Sequence, residues 1–340
     1  MCTSIFTGIQ IAPASWRELY ETAKRRAAKV GVKKSRNQFR TLKRLEEARI
    51  RTASTYVAKI LRDIALTSPF LESLHPFYRE LLKTIIDENV YRLCLSRIYS
   101  ISKVIDKLMY EHVKRVFLSE DIREIRHYRK AFFGRLSSLL KDLDDCFKAL
   151  RSWQAEILKL PTIDVTIPSI IIAGAPNVGK SSLLRSISKA SPEVKPYPFT
   201  TKNVYVGHLE LGEAKVQAID TPGLLDRPLE EKGLIERRTI AALRFLNGIV
   251  VFVFDPTITC GFSLDYQLTV YNEVKSLLGE TPIVIVSNKV DLTSPTQASE
   301  LVKMLDEEAK NLIFISAFYK IGIDYMLSEI EKYFPTTRKS

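Results

Sequence analysis

The sequence predicts an all-α segment followed by a three-layer α/β domain with a mostly parallel sheet. Residues 1–160 place apolar side chains at helical spacing and contain three glycines, whereas the second half alternates short apolar runs with helix-compatible segments. Several of those runs end directly in polar loops, as the strands of a parallel α/β sheet do. We therefore expect a helical bundle over residues 1–160, an α/β domain over 161–335 and a short tail over 336–340.

The strongest motif in the chain is GAPNVGKS. It follows the apolar stretch Ile167–Ala173 and precedes the helix-compatible Ser182–Ser188. A strand, GxxxxGK[ST] and a helix are typical of a phosphate-binding loop, in which backbone N–H groups and the helix dipole hold phosphates. Lys180 is expected to reach the β- and γ-phosphates, and the Ser181 hydroxyl to reach Mg²⁺. The predicted phosphate contacts are Gly174, Ala175, Pro176, Asn177, Val178, Gly179, Lys180, Ser181 and Ser182.

Two further segments are candidates for contacts with the γ-phosphate and the metal. A strand-like run ends at Asp220 in the motif DTPG, where Asp220 can hold Mg²⁺ through water and the Gly223 amide can contact the γ-phosphate. In the segment Tyr197–Asn203, Thr200 and Thr201 are both candidates for a hydroxyl that binds Mg²⁺ and moves after hydrolysis. The sequence leaves that choice open, with a preference for Thr201.

The motif NKVD, at the end of another apolar run, predicts which base is bound. Asp291 would accept two hydrogen bonds from N1 and N2 of guanine, which adenine cannot donate. A site built to pair a polar edge rejects the unpaired analogue by about 10⁴-fold, so GTP and GDP are the expected ligands. Asn288 would orient the loop, the Lys289 stem would cover the base, and a backbone amide at Ser316 or Ala317 would contact guanine O6.

Composition indicates a globular chain with two differently charged halves. Residues 1–160 carry 32 Lys+Arg and 18 Asp+Glu, a net of +14, and residues 161–340 carry 19 and 21, a net of −2, which gives +12 in all. No apolar run can span a bilayer and no signal-peptide pattern is present, so a cytoplasmic location is expected. The cysteines have no CxxC or metal-ligand spacing and are expected to be reduced, mostly buried thiols: Cys2, Cys94, Cys146 and Cys260.

The N-terminal half shows where its helices end and where its charge is concentrated. Breaks are predicted at Gly31, Ser68-Pro69, His75-Pro76 and Ser119–Asp121, with one final helix over Ile122–Leu158. Between Lys24 and Arg51 there are twelve Lys or Arg and two Glu. Such a surface attracts phosphate backbones, and since few aromatics are interleaved it favours structured RNA recognised by shape over stacked bases. A solvated helix face and a basic helix on anionic lipid are the alternatives.

The order of these motifs resembles the Obg-related branch of translation-factor GTPases. YPFTTK, DTPG with Leu224, and NKVD carry that resemblance. SLHPFYRELL (Ser73–Leu82), LPTID (Leu160–Asp164) and KPYPFTTKNVYVGH (Lys195–His208) are similar to the nucleolar GTP-binding protein (Nog) family. The resemblance implies a Ras-like GTPase domain, a role in maturation of the large ribosomal subunit, and ribosomal RNA as the partner of the basic bundle. Since the chain stops at Ser340 without the long basic extension of eukaryotic members, the compact archaeal form is expected, and a nucleolar location only if the protein is eukaryotic.

The sequence also predicts that intrinsic hydrolysis is slow. Ras-type enzymes place a water-orienting glutamine after the DxxG glycine, and this chain has Leu224 there. The catalytic contribution of the absent glutamine would come from K⁺ bound at Asn177, or from a ribosomal partner acting near residues 225–238. The alternative role for Asn177 is to stabilise the loop turn without binding K⁺. The expected catalytic residues are Lys180, Thr201, Gly223 and Asn177. Two other functions stay open, a GTP-sensing module with negligible hydrolysis and a GTPase acting on transfer RNA or membranes.

Overall fold

A computed structural model describes residue 6 and residues 8–158, 163–196, 203–220 and 222–334. These residues form two compact units. The helical unit contains Phe6–Ser73 and Ile85–Leu158, and the sheet unit contains Leu74–Thr84 together with the described part of residues 159–340. The segment Leu74–Thr84, inside the predicted bundle, therefore groups with the sheet, and the domain bounds drawn from the sequence stay a prediction.

Six α-helices of the described residues precede the sheet, and polar caps set the start of several. Their bounds are α1 Trp16–Ala28, α2 Gln38–Thr67, α3 Pro76–Ile85, α4 Glu88–Leu118, α5 Ile122–Lys141 and α6 Asp144–Ile157. Asn37, Asp87 and Asp121 accept hydrogen bonds from first-turn amides of α2, α4 and α5, which would otherwise lack partners. The predicted breaks in this half are confirmed. Across the part of the chain that the structure describes, no helix is both long and apolar enough to cross a membrane.

The last part of the helical unit is broken, and the prediction of one helix over residues 122–158 is wrong. α5 ends at Lys141 and α6 begins at Asp144. Leu143, in the turn between them, is fully buried. The Asp144 carboxylate accepts a hydrogen bond of 2.9 Å from the backbone N–H of Trp16, at the start of α1. Asp144 thus satisfies the N-terminus of a distant helix, a contact that helical periodicity does not reveal.

The expectation of reduced cysteines is wrong for one pair. Cys94 of α4 and Cys146 of α6 form a disulfide, with Cα atoms 5.2 Å apart and both residues buried. They are separated by 52 positions, so only the packing of α6 on α4 brings them together. Cys260 is a free and buried thiol, as expected, and burial raises its pKa. Cys2 lies outside the described residues.

The sheet unit is built around seven described strands. Their bounds are β1 Ser169–Ala173, β2 Glu193–Pro196, β3 Asn203–Leu211, β4 Ala214–Asp220, β5 Gly248–Phe254, β6 Ile283–Ser287 and β7 Ile313–Phe314. Their spatial order is β2-β3-β4-β1-β5-β6-β7, with β3 antiparallel to β2 and β4 and all other pairs parallel. The parallel strands β4, β1, β5, β6 and β7 therefore end at one edge, which is where α/β sheets bind ligands.

Helices cover both faces of this sheet. They are α7 Lys180–Ile187, α8 Leu234–Ala241, α9 Leu264–Leu278, α10 Pro295–Leu305 and α11 Ile323–Glu331. Ile170 and Ile172 of β1 pack with Leu183 of α7 in one core cluster. Facing the other way, Phe252 of β5 meets Tyr271 of α9 edge-on, with ring centroids 5.1 Å apart. Since successive strand residues point to opposite faces, the sheet is buried on both sides, and the predicted three-layer α/β fold is confirmed.

Helix α3 is tied to the chain just before β1. Tyr78 of α3 is 1% exposed, and its hydroxyl donates to the Ile163 carbonyl oxygen at 2.6 Å and accepts from the Ile163 N–H at 3.0 Å. Both backbone polar groups of Ile163 are thereby satisfied in a buried position. This contact joins α3 to the chain that leads into the sheet, the unit with which residues Leu74–Thr84 are grouped.

Candidate nucleotide site

The loop between β1 and α7 takes a shape that requires glycine at two positions. Gly174 and Gly179 have φ angles of +138° and +104°. A Cβ atom at Gly174 would lie 2.4 Å from the Val253 carbonyl oxygen, and one at Gly179 would lie 2.2 Å from Asn288 Nδ2. Both conformation and space therefore exclude other residues. The loop can pass close to β5 and to the segment after β6 only because these side chains are missing.

A cavity of about 370 Å³ opens at this loop. Its lining includes Asn177, Gly179, Lys180, Ser181 and Ser182 of the predicted phosphate contacts, together with Pro222 and Asp226. The first turn of α7 borders it, and the N–H groups of a first helical turn carry partial positive charge. The cavity is therefore suited to an anionic group such as a phosphate chain.

Lys180 is held inside the loop. Its side chain is 6% exposed, and Nζ donates to the carbonyl oxygens of Gly174 and Ala175 at 2.8 and 2.7 Å. A buried ammonium needs such acceptors or an anion, because desolvation of the charge is costly. Since phosphate oxygens are charged acceptors, a phosphate in the adjoining cavity would compete for this ammonium.

Ser181, which lines the cavity, contacts Asp220, and this pair has the chemistry of a magnesium site. Ser181 Oγ donates to Asp220 Oδ2 at 2.6 Å, and Asp220 is fully buried at the end of β4. Hydroxyl and carboxylate oxygens are ligands that Mg²⁺ accepts, commonly alongside waters and substrate phosphates. The pair fits the predicted roles, with Ser181 as a direct ligand and Asp220 acting through water. Thr200 and Thr201 lie outside the described residues.

Asp226 is a site residue that the sequence reasoning missed. Its Oδ2 accepts a hydrogen bond of 2.6 Å from the backbone N–H of Gly223, the predicted γ-phosphate contact. Asp226 is 4% exposed, lines the phosphate cavity, and its Oδ1 is buried with no hydrogen-bond partner among the described residues. The backbone amide that the γ-phosphate is expected to contact therefore already donates its hydrogen bond to the Asp226 carboxylate. The sequence signal was an acidic residue three positions after the DTPG glycine.

Leu224 is part of the protein interior. It is 1% exposed, and the neighbouring Leu225 is fully buried and accepts a hydrogen bond from the Gly174 N–H at 3.1 Å. The position after the DxxG glycine thus supplies apolar packing beside the phosphate loop. An alkyl side chain at this position cannot orient water by hydrogen bonding.

The predicted base residues are joined through Asn288. Asn288 Nδ2 donates to the Val178 carbonyl oxygen at 2.8 Å, and its Oδ1 accepts from the Ala317 N–H at 2.9 Å. The Ser316 N–H donates to the Ile321 carbonyl oxygen, so the amides of Ser316 and Ala317 both have partners within the protein. One buried carboxamide therefore links the phosphate loop to the segments after β6 and β7. A contact of this segment with guanine O6 stays a prediction.

Asp291 and Lys289 are placed differently from one another. Asp291 is exposed, so its carboxylate can accept hydrogen bonds from a ligand. Lys289 Nζ donates to Asp255 Oδ2 at 2.6 Å and to Thr259 Oγ1 at 2.8 Å. Burial would raise the pKa of the Asp255 carboxyl, but hydrogen bonds from Lys289 and from the Thr257 hydroxyl hold that pKa below its usual value. Asp255 follows β5 directly, and its place at the end of a strand was the signal that could have identified it.

Asn177 is bound to the loop that follows β5. It has a φ of +61°, and its Nδ2 donates to the Cys260 carbonyl oxygen at 3.4 Å. Asparagine tolerates this left-handed conformation better than most residues. The contact favours a loop-stabilising role for the amide nitrogen and says nothing about the amide oxygen, which is the atom that would bind K⁺.

Comparison with known proteins identifies relatives along most of the chain. A family model of the NOG1 N-terminal helical domain matches residues 6–164, and one of nucleolar GTP-binding protein 1 (NOG1) matches residues 234–291. Nucleolar GTP-binding protein 1 of Saccharomyces cerevisiae is 34% identical over 261 residues, which is 77% of this chain and 40% of that protein. The protein of the same name from Arabidopsis thaliana is 35% identical over 243 residues, or 72% of this chain and 36% of the relative.

A solved structure adds a further likeness. The crystal structure of a nucleolar GTP-binding protein 1 from Plasmodium falciparum shares 36% identity, covers 51% of this chain and 90% of that chain, and has a TM-score of 0.44. The chain spans only about 40% of the length of the yeast relative. The resemblance to Nog proteins seen in the sequence is confirmed, while the compact archaeal form stays a prediction. Because two models of one family together match more than half of its residues, the chain belongs to the nucleolar GTP-binding protein 1 (NOG1) family.

Proposed function

We propose that this chain binds GTP, hydrolyses it slowly to GDP and phosphate, and acts as an assembly factor of the large ribosomal subunit. The observation that carries the proposal is the link made by Asn288 between the phosphate loop and the base segments, beside a cavity lined by Lys180 and Ser181. The name of the relatives, nucleolar GTP-binding protein 1, supports the choice of nucleotide.

The residues would divide the work as follows. Lys180 leaves the loop carbonyls to bind the β- and γ-phosphates, and Asp291 accepts hydrogen bonds from the guanine edge. Ser181 and Thr201 would hold Mg²⁺ directly, with Asp220 acting through water and Thr200 as the alternative hydroxyl. Bound Mg²⁺ neutralises charge that develops on the phosphate oxygens during phosphoryl transfer.

Slow hydrolysis is proposed because the described part of the site has a leucine where Ras-type enzymes orient water. Leu224 is buried, so help must come from elsewhere. One candidate is K⁺ bound at Asn177, and turnover is then expected to fall when Na⁺ replaces K⁺ at constant ionic strength. The other is a group supplied by the ribosomal particle next to residues 225–238, which could contribute roughly 10³- to 10⁵-fold. If turnover is unchanged when Na⁺ replaces K⁺, the K⁺ hypothesis is wrong. If turnover is unchanged when precursor particles are added, the hypothesis of a ribosomal catalytic group is wrong.

The helical unit is proposed to bind ribosomal RNA through the basic segment Lys24–Arg51. Ten of its twelve cationic residues are exposed, and Lys43 and Arg49 are partly buried. Such a surface binds phosphates with a steep dependence on salt, because counterions are released. Co-sedimentation with large ribosomal subunits, transfer RNA and anionic vesicles tests this choice. Preference for transfer RNA or vesicles over subunits would contradict it.

The main rival is a GTP-sensing module that hardly turns over, and Leu224 is the residue that favours it. Single-turnover hydrolysis measured with and without large-subunit precursors separates the two functions. A turnover that stays negligible in both conditions would establish the sensor. In either case the γ-phosphate contacts at Gly223 and Thr201 would set how tightly the chain holds RNA.

A further inference from the structure

A second and larger cavity lies within the helical unit. It has a volume of about 640 Å³ and is bordered by α1, α2 and α5. Pockets that enclose small ligands typically measure about 300–1,000 Å³. We call it the helical-unit cavity. It is separate from the phosphate loop in sequence and in fold, since all its lining residues belong to the helical unit.

The lining of the helical-unit cavity is strongly basic. Its cationic residues are Lys24, Arg49, Arg126, Arg129 and Lys130. Glu46, only 2% exposed, accepts from Arg49 at 2.8 Å and from Arg129 at 3.1 Å through the same oxygen. One buried acid therefore positions two guanidinium groups. Each guanidinium has five N–H donors, so both can still bind a ligand. Another acid, Glu21, lies 3.8 Å from Lys24, and both of those side chains are exposed.

Two aromatic rings and a glycine also line the helical-unit cavity. Tyr20 of α1 and Phe133 of α5 meet edge-on, with centroids 6.4 Å apart and planes at 80°, and both are partly exposed. Gly134 follows Phe133 in the interior of α5, a position where glycine is less favourable than alanine. A Cβ atom there would meet no heavy atom within 4 Å. Packing does not require this glycine, and its missing side chain leaves the cavity open.

We propose that the helical-unit cavity takes one unstacked nucleotide of the RNA that this unit binds. Its base lies against Tyr20 and Phe133, and its flanking phosphates lie at Lys24, Arg126 and Lys130. The inference rests on the proposed RNA-binding function and adds a specific point at which a base enters the protein. The sequence favoured recognition by phosphate and shape over stacked bases, because few aromatics are interleaved in the basic segment Lys24–Arg51. Tyr20 and Phe133 lie outside that segment and far apart in the chain.

The combination of groups favours a nucleotide over other anions. An acidic peptide would satisfy the cations but would offer no planar group to the aromatic wall. A free phosphate ion would leave most of the volume unfilled. A splayed-out base presents a π-face, and stacking of a base on an aromatic side chain changes affinity by roughly 5- to 150-fold. Structured RNAs present such bases in loops and bulges.

The test compares the full chain with two leucine variants on the same helix. Gly134→Leu fills the helical-unit cavity without removing charge, and the matched control Ala131→Leu adds the same side chain at an exposed position outside the lining. Binding of a large-subunit ribosomal RNA transcript is measured over a range of KCl concentrations. Gly134→Leu is expected to bind about tenfold more weakly with an unchanged salt slope, because the cations remain. Ala131→Leu is expected to match the wild type.

A second variant guards against a folding defect in the first. Phe133→Leu keeps an apolar side chain in place but removes the ring, and we expect a loss of about fivefold in affinity. Circular dichroism of each variant tests whether it is folded.

Full RNA affinity in both Gly134→Leu and Phe133→Leu would overturn the inference. The inference would also be overturned if Gly134→Leu bound polyglutamate more weakly than the wild type but bound RNA equally well. That result would assign the cavity to an acidic protein segment. A wild-type chain that binds no RNA at all would instead refute the proposed function on which the inference rests.

Discussion

Asp226 provides the sharpest test of the nucleotide site, because a carboxylate now holds the amide expected to contact the γ-phosphate. Asp226 Oδ2 lies 2.6 Å from the Gly223 nitrogen inside the phosphate cavity. GTP must displace this carboxylate to reach the amide, whereas GDP, which has no γ-phosphate, need not. The change Asp226→Asn is therefore expected to strengthen GTP binding and to leave GDP binding nearly unchanged.

The size of the effect follows from the bond that is exchanged. A hydrogen bond to a charged group contributes about 1.5–3 kcal/mol, and one between neutral groups about 0.5–1.5 kcal/mol. Replacing the carboxylate by an amide thus lowers the cost of displacement by about 1 kcal/mol, or roughly fivefold in the dissociation constant. Loss of repulsion between carboxylate and phosphate acts in the same direction.

The assay is equilibrium binding of GDP and of a non-hydrolysable GTP analogue with Mg²⁺ present. Glu230→Gln is the matched control, since it neutralises an exposed carboxylate on the same segment. A ratio of GTP to GDP affinity that is equal in Asp226→Asn and the wild type would refute the reasoning. Weaker hydrolysis with an unchanged ratio would show that Asp226 positions water instead.

Four further outcomes are expected. Lys180→Ala should weaken GTP and GDP binding at least tenfold in a titration, since a charged contact to phosphate contributes about 1.5–3 kcal/mol, while the helical unit stays folded by circular dichroism. Asp291→Asn should shift preference from guanine to xanthine nucleotides in competition binding, and retained guanine preference would place the base elsewhere. Leu224→Gln should lower the free energy of unfolding by about 1–3 kcal/mol in urea without raising turnover, because it buries an amide without designed partners. The pKa of the Asp255 carboxyl is held low in the folded protein. The ionised carboxylate therefore stabilises the fold at pH values above the ordinary carboxyl pKa, and this stabilisation is lost as the pH falls through the lower folded pKa. Asp255→Asn should accordingly flatten the acid limb of a curve of unfolding free energy against pH.

Much of the fold could be predicted from short-range patterns. The starts and ends of most helices depend on glycine, proline and capping side chains within a few residues, as Asp121 shows at the start of α5. The phosphate loop was predictable because Gly174, Gly179 and Lys180 act within one turn of chain between a strand and a helix. The break at Leu143 could not be predicted in this way, because the Asp144 carboxylate accepts its hydrogen bond from Trp16, more than a hundred positions earlier.

The motifs and their order in the chain could therefore be predicted from the amino-acid sequence, since each motif depends on residues that are close together in the chain. Packing alone decided which distant side chains meet: Lys289 with Asp255, Cys94 with Cys146, and Tyr20 with Phe133. The helical-unit cavity belongs to this second class. Periodicity predicts which face of a helix is apolar, but it carries no record of which other helix covers that face, and such contacts depend on the three-dimensional arrangement.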